Sequence, residues 1–282
     1  MTNYALIDMN SLGVASIMAH TKGSPIYDEN IIRHIIINQL RLIKTKTKAE
    51  LVLCYDGANN WRKQKFQYYK QNRKVLRESS SVDWNNMFKV LDKIREELAQ
   101  NFPYKVLHVD TAEADDIIAV ICKNITDPIV IVSSDEDFLQ LQRYTNVSQY
   151  SLIKKAILKS MEPEKDLFEH ILRGDPTDGI PNYLSDDDCM INESKRQTPL
   201  RQKLIDSLWQ DKLDGIPFFD APDRFKNFHR NKELIDFTKI PQNIQKEILD
   251  KYNSTKPADK SKIMHYLASN GMNVLLEHIT EF

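Results

Sequence analysis

A mostly parallel α/β sheet with helices on both faces, followed by a mostly helical C-terminal part, is the architecture this 282-residue sequence predicts. Three observations carry the prediction. Short apolar runs alternate with helix-patterned segments in the first half of the chain, as in a sheet built from β-α-β units. After about residue 160 the strand-like runs stop and helical patterns follow. Four of the strand-like runs also end in carboxylates, at the edge where open α/β sheets bind ligands.

The elements follow in order. Residues 4–8, YALID, read as a central strand ending at Asp8. ENIIRHIIINQLRLI at 29–43 is a long apolar-rich helix. Residues 51–55 form a second strand, closed by Asp56. The basic segment 61–77 has a helical pattern, broken by SSSV at 79–82 as a mobile element would be. An amphipathic helix follows from Asp83 to Ala99. Residues 105–109 make a third strand and 113–124 a helix. Asp127-Pro128 turns into 129–133, the most β-branched strand of the chain. Pro163 is suited to a first helical turn, with EKDLFEHIL behind it. RGDPTDG follows that helix, and 174–198 is polar and irregular, a loop. Segments 199–211, 241–252 and 260–279 are helical in pattern. The chain thus divides into an α/β part, 1–160, and a helical part, 161–282.

Composition excludes several classes. Hydrophobic residues make up 41%, enough for a real core. The net charge of −1 names no partner, but its distribution does: seven basic and no acidic residues lie between Trp61 and Arg77. Cys54, Cys122 and Cys189 have neither an even count nor CxxC spacing, so neither a disulfide framework nor a zinc site is expected. The seven histidines show no ligand spacing and read as ordinary surface or core residues. No apolar run approaches a membrane span, and the first strand begins too early for a signal peptide. A cytoplasmic protein is the expectation.

The carboxylates carry the chemistry. A single Asp at a strand end is ordinarily a turn residue or helix cap; four consecutive strand ends delivering acids are not explained that way. Asp8, Asp56, the pair Glu113 and Asp115, and the pair Asp135 and Asp137 would converge, joined by Asp175 and Asp178. Gathered carboxylates repel one another and are costly to bury. Hard divalent cations relieve that repulsion, and oxygen-only ligands suit magnesium or manganese. Phosphodiester hydrolysis fits, because two metals can stabilise both the attacking and the leaving oxygen.

The basic segment, WRKQKFQYYKQNRKVLR, would place Lys63, Lys70, Arg73, Lys74 and Arg77 on one face of a single helix. Trp61, Phe66, Tyr68 and Tyr69 are interleaved. A solvated basic face over packed aromatics is the plain reading. A phosphate-tracking element with stacking aromatics is the functional one, favoured by its position between the second and third acidic strand ends.

LIDMNS, VLCYDGA, YYKQNRK, EADDIIAV, IVSSDEDF and ILRGDPTDG, in that order, resemble the motifs of the flap endonuclease / 5′→3′ exonuclease superfamily, and within it the ribonuclease H branch of T-even-like bacteriophages. LIDFTKIPQNI and the terminal ITEF extend the likeness to almost the whole chain. The resemblance implies a nuclease that removes RNA primers and adjacent DNA during lagging-strand synthesis. Its substrates would be RNA–DNA hybrid and flapped or nicked duplex DNA. It implies two Mg2+ ions, with Mn2+ able to substitute. Asp8, Asp56, Glu113, Asp115 and Asp135 match ligands of the first metal, and Asp137 with Asp175 or Asp178 the second; Asp116 completes the acidic motif and is counted with the metal-site acids, behind the direct ligands.

Lys70 and Arg73 match the basic pair of a helical arch, at about 60–82, that contacts the scissile phosphate. Arg62, Lys63, Lys65, Tyr69, Lys74 and Arg77 would accompany them on nucleic acid. One departure is clear. Most members follow the fifth acidic motif with a glycine-rich helix–turn–helix that grips duplex. Here PNYLSDDDCMINESKRQTP lacks the glycine repeat, leaving Lys195, Arg196, Thr198 and Arg201 as candidate phosphate contacts, with a plain solvated loop as the other reading. A single-strand-binding protein and a sliding clamp are the implied partners of a monomeric enzyme. Two other readings stand beside this one: a simpler PIN-type ribonuclease, and a structure-specific binding protein without cleavage. A haloacid-dehalogenase-like phosphatase is disfavoured, because Asp8 is followed by Met9 and Asn10 rather than by an Asp two residues on.

Overall fold

The computed structural model describes residues 3–21, 28–80, 82–192, 194–217 and 221–282. The chain runs β1 (Tyr4–Asp8), α1 (Met9–Thr21), α2 (Glu29–Thr47), β2 (Glu50–Tyr55), α3 (Trp61–Lys65), α4 (Gln71–Glu78), α5 (Trp84–Asn101), β3 (Lys105–His108), α6 (Ala114–Asn124) and β4 (Ile129–Val132). A 3₁₀ segment, Glu136–Arg143, leads to β5 (Val147–Ser151) and β6 (Ala156–Leu158). Among the described residues six helices follow: α7 (Pro163–Arg173), α8 (Gln202–Leu213), α9 (Pro222–Ile235), α10 (Gln242–Ser254), α11 (Ser261–Ser269) and α12 (Asn273–Leu276).

The sheet order is β3-β2-β1-β4-β5-β6, parallel except for β6. β1 lies between β2 and β4, with Asp8 level with Cys54 and Ile7 level with Val132. The strand order reverses there, and loops leaving β1 and β4 diverge to opposite sides, opening the crevice such sheets use for ligands.

Strand alternation divides the core. Ala5, Ile7 and Leu53 face α2 and α5, meeting Ile36, Ile37, Leu40 and Ile94. Leu6, Val52 and Ile131 face the opposite side, meeting Ile117, Ile118 and Ile121 of α6. Residues after 160 complete both faces. Ile263, Leu267 and Phe282 join the first cluster, and Phe237, Ile244 and Ile248 join the second. Truncating a side chain such as Ile7 would cost about 2–5 kcal/mol.

The basic segment is not one helix. α3 ends at Lys65, a turn intervenes, and α4 begins at Gln71. Phe66 and Tyr69 are pulled inward against Leu172, Ile180 and Leu234, a third apolar cluster. Burying two aromatics from this stretch is incompatible with a continuous helix whose basic side chains share a face. The C-terminal segment 260–279 is likewise divided, with Gly271 at φ +66° between α11 and α12.

A candidate active site at the carboxyl ends of β1, β2 and β4

Each carboxylate is aimed by a local device. Asp8 ends β1, and Oδ1 accepts the Ser11 amide at 3.0 Å as α1 departs. Asp56 follows β2 and accepts from Asn10 Nδ2 at 2.7 Å and the Ala114 amide at 2.8 Å. Asp115 lies in the first turn of α6. Asp135 caps the 3₁₀ segment, accepting the Asp137 amide at 2.9 Å. Gln149 of β5 reaches across with Nε2 to the carbonyl oxygens of Ser133, at 3.0 Å, and Asp135, at 2.5 Å, fixing the loop that carries this pair. Gly174, at φ +68°, turns the chain out of α7 so that Asp175 Oδ1 accepts the Thr177 amide at 2.8 Å. A Cβ on Gly174 would lie 2.4 Å from the Ile180 carbonyl oxygen, so only glycine fits this turn.

Asp8, Asp56, Asp115, Asp135, Asp137, Asp175 and Asp178 line one cavity of about 700 Å³, together with Lys70, Arg73, Arg77 and His170. Burial, then repulsion from Asp56, pushes the Asp8 carboxyl up to about 7. Burial and repulsion also raise Asp56, Asp115 and Asp137, Asp115 through Asp8 and Asp135, and Asp137 through Asp135 and Asp175. A set of oxygens that cannot all remain ionised without counter-charge fits hard divalent cations, which remove the repulsion on binding.

Glu113 and Asp116 stand apart from that cavity. Glu113 is turned toward Lys70, Tyr69 Oη at 2.8 Å and Arg62 Nη1 at 3.2 Å, and lines an adjoining cavity of about 860 Å³ with Asp56. Burial opposes its ionisation, but Lys70 and Arg62 hold its carboxyl down at about 2. Asp116 is not placed as a metal ligand. It is 0% exposed and is consumed by Arg62, by Trp61 Nε1 at 3.0 Å and by the Glu113 amide at 3.0 Å.

Two expected nucleic-acid contacts are also corrected. Arg62 is buried, holding Asp116 and the Leu234 carbonyl oxygen, at 2.8 Å, and no phosphate can reach it. Tyr69 is buried, its hydroxyl shared between Glu113 and Asp178, each at 2.8 Å, so its ring offers no stacking face. Lys63, Lys65, Lys74 and Arg77 are exposed. The Arg77 guanidinium lies over the Phe88 and Trp84 rings at 5.0 and 5.3 Å.

Lys70 and Arg73 overhang the carboxylates. Lys70 adopts a left-handed backbone, φ 59°, unfavourable for a side chain bearing Cβ. Its amide donates to the Asp178 carbonyl oxygen at 2.7 Å, and its ammonium pairs with Glu113 and, at 3.4 Å, with Asp178. Arg73 pairs with the same Asp178 carboxylate. Lys195 is occupied by Asp188 at 2.8 Å and Asp186 at 3.1 Å, while Arg196 and Arg201 are exposed. Asp187 is taken by Arg230 and Lys226, so the three successive aspartates are all neutralised by neighbours.

Sequence reasoning missed His170, Asn10 and Gln149. Asn10, inside the LIDMNS motif, donates to the Asp56 carboxylate, and Gln149 to the backbone carbonyl oxygens of Ser133 and Asp135; neither contact leaves a signal in the sequence spacing. Asp137, His170 and Asp175 each offer a ligand atom, all within 4.8 Å of one another.

Fold and site together define a metal-dependent nuclease of the PIN-like α/β kind. Residues 4–170 match the family profile of the 5′-3′ exonuclease N-terminal, resolvase-like domain, and residues 161–282 that of the C-terminal part of T4 RNase H. The chain is 32% identical to the ribonuclease H of Enterobacteria phage T4 over 98% of its own length and 95% of that protein. It is 28% identical to the flap endonuclease Xni of Shewanella woodyi over 45% of this chain and 48% of that one. A solved complex of the phage T5 flap endonuclease with DNA and metal ions superposes with a TM-score of 0.65, at 16% identity, covering 89% of this chain and all (100%) of that one. A zinc-bound T5 5′-exonuclease gives 0.65 at 17% identity, covering 90% and 99%. These two likenesses concern the fold. The chain belongs to the 5′-3′ exonuclease family, with a C-terminal part of the T4 ribonuclease H type.

Proposed function

We propose that this chain is a Mg2+-dependent 5′→3′ exonuclease and flap endonuclease with ribonuclease H activity, removing RNA primers and adjacent DNA during lagging-strand replication. The observation that carries the reading is the seven-carboxylate cavity overhung by Lys70 and Arg73. Asp8, Asp56, Asp115 and Asp135 would hold a first cation, and Asp137, Asp175 and Asp178 a second, with Glu113 completing the first set once Lys70 is withdrawn. Bound there, two divalent cations would supply a water of lowered pKa and neutralise the departing oxygen.

The chain's own groups do the rest. Lys70 and Arg73 meet the non-bridging oxygens of the scissile phosphate, leaving Glu113 and Asp178 as substrate enters. Fixed cations in a site shielded from water stabilise developing charge strongly. Lys63, Lys65, Lys74 and Arg77 track the strand, and Arg196 and Arg201 meet the duplex. Residues 1–160 thus carry the chemistry, and 161–282 the last carboxylates and part of the duplex grip. No helix among the described residues is long and apolar enough to cross a membrane. A monomer in the host-cell cytoplasm, working with a single-strand-binding protein and a sliding clamp, fits this role.

A substrate panel tests the reading: a 5′-labelled flap, a nicked duplex and a nicked RNA–DNA hybrid, each with Mg2+, Mn2+ and Ca2+. Mg2+-dependent release of flaps and short 5′ products is expected. Tight binding with no cleavage under any cation would leave a structure-specific binding protein instead.

A further inference from the structure

His170 is the one nitrogen ligand aimed into the carboxylate cavity among the described residues. It lies in the last turn of α7, its carbonyl oxygen accepting the Gly174 amide at 2.9 Å, so the imidazole and Asp175 leave the same helix end. Asp137 comes from the 3₁₀ segment opposite. Nδ1 stands 3.5 Å from Asp137 Oδ1. A structural imidazole–carboxylate hydrogen bond closes to about 2.7–3.2 Å. At 3.5 Å the two groups are not closed into such a bond, and Asp137, His170 and Asp175 each offer a ligand atom within 4.8 Å of the others, leaving room for a cation between them. The side chain lines both this cavity and the neighbouring one beside α7.

We propose that His170 is a ligand of the second cation position, with Asp137 and Asp175, and that its nitrogen biases this position toward transition-metal cations such as Mn2+. The inference rests on the nuclease reading for the existence of that position. Its physical basis is ligand hardness: carboxylate oxygens serve Mg2+ and Mn2+ alike, whereas imidazole suits transition metals and is a poor ligand for Mg2+. The two cation positions therefore differ, the first oxygen-only and the second mixed. Loss of the imidazole, a direct ligand, weakens Mn2+ at one position by at least the roughly 10–100-fold that losing an outer-shell partner costs. Mg2+ binding changes far less.

The test uses the full chain loaded with Mn2+ and pulsed electron paramagnetic resonance. Unlabelled protein is expected to give 14N modulation from a directly bound nitrogen, replaced by the 15N pattern when only histidine is labelled. His170→Asn is expected to abolish the modulation with its fold and its oxygen-only Mn2+ position retained. Two bound Mn2+ without nitrogen coupling in the wild type would overturn the proposal, and so would coupling that persists in His170→Asn. Histidine coupling that is lost in His170→Asn, in a protein that cleaves neither flap nor hybrid, would uphold the ligand and overturn the nuclease reading alone.

Discussion

Arg62 and Asp116 form a two-point ion pair in the interior, with Nη1 donating to Oδ2 at 2.9 Å and Nη2 to Oδ1 at 2.8 Å. The pair ties the start of the basic segment to the first turn of α6, beneath Glu113. A buried pair is strongly destabilising to break, because the surviving partner is left charged and unpaired. Arg62→Ala is therefore expected to lower stability by about 3–5 kcal/mol in urea unfolding. Arg62→Lys is expected to recover only part of that, since an ammonium cannot reproduce a two-point contact. A loss below about 1 kcal/mol would mean that the pair is not closed in solution.

On the proposed reading Lys70 contributes to catalysis. Its ammonium is poised between Glu113 and Asp178, and although burial alone would lower its pKa, those carboxylates raise it. It stays charged at any working pH. Lys70→Ala is expected to slow single-turnover flap cleavage by about 10²–10³-fold, the scale of losing one fixed electrostatic group at a reacting centre. Affinity for the flap should fall much less. Equal losses in binding and rate would make Lys70 a positioning contact only.

Asp115→Asn separates stability from activity. Burial and repulsion from Asp8 and Asp135 disfavour its charge, so the neutral amide relieves the metal-free fold. Tm without metal is expected to rise by about 2–4 °C, the scale of 1 kcal/mol in a chain of this size. Cleavage is expected to fall on the order of 10³-fold, about 4 kcal/mol of barrier. A lower Tm in calorimetry would show that Asp115 is hydrogen-bonded in the metal-free fold rather than repelled.

The same repulsion sets a pH dependence. Unfolded, Asp8 loses its proton near its ordinary value of 3.8; folded and metal-free, it does so at about 7. Between those values the folded state holds a proton that the unfolded state has lost, so stability falls as pH rises through the window. Asp56, Asp115 and Asp137 shift in the same direction. Glu113, held at about 2, acts oppositely, but only below its ordinary 4.5. In EDTA, Tm is expected to drop by about 5 °C from pH 5.5 to pH 8, the scale of roughly 2 kcal/mol. Saturating Mg2+ should flatten the profile, and an EDTA profile that rises with pH would contradict the assignment.

Much of this was legible in the sequence, for identifiable reasons. β1 to β4 are short and apolar, β4 almost wholly β-branched, and acids lie at or within a few residues of their carboxyl ends. What stayed hidden is stabilised by polar contacts. β5 turns Gln149 and Ser151 inward, where they bond the Ser133–Asp135 loop and Ser134, so it shows no apolar alternation. α9 buries Asn227 and Asn231, whose amides donate to the carbonyl oxygens of Tyr183, Ser185, Ile171 and Pro181. Its inward face therefore reads as polar. α1 exposes Ser11 and Ala15 rather than charge, and shows no stripe. Arg62 and Tyr69 looked like solvent-facing phosphate and base contacts because their partners, Asp116 and Asp178, lie 54 and 109 residues away.

The most direct test of the central claim is single-turnover cleavage of one 5′-labelled flap duplex by wild-type protein and by Asp135→Asn, with Mg2+ and with EDTA. The expected result is flap release by the wild type only when Mg2+ is present, and tight binding without release by Asp135→Asn. Cleavage that persists in EDTA, or an Asp135→Asn protein that turns over at the wild-type rate, would contradict a metal-dependent centre built on these carboxylates.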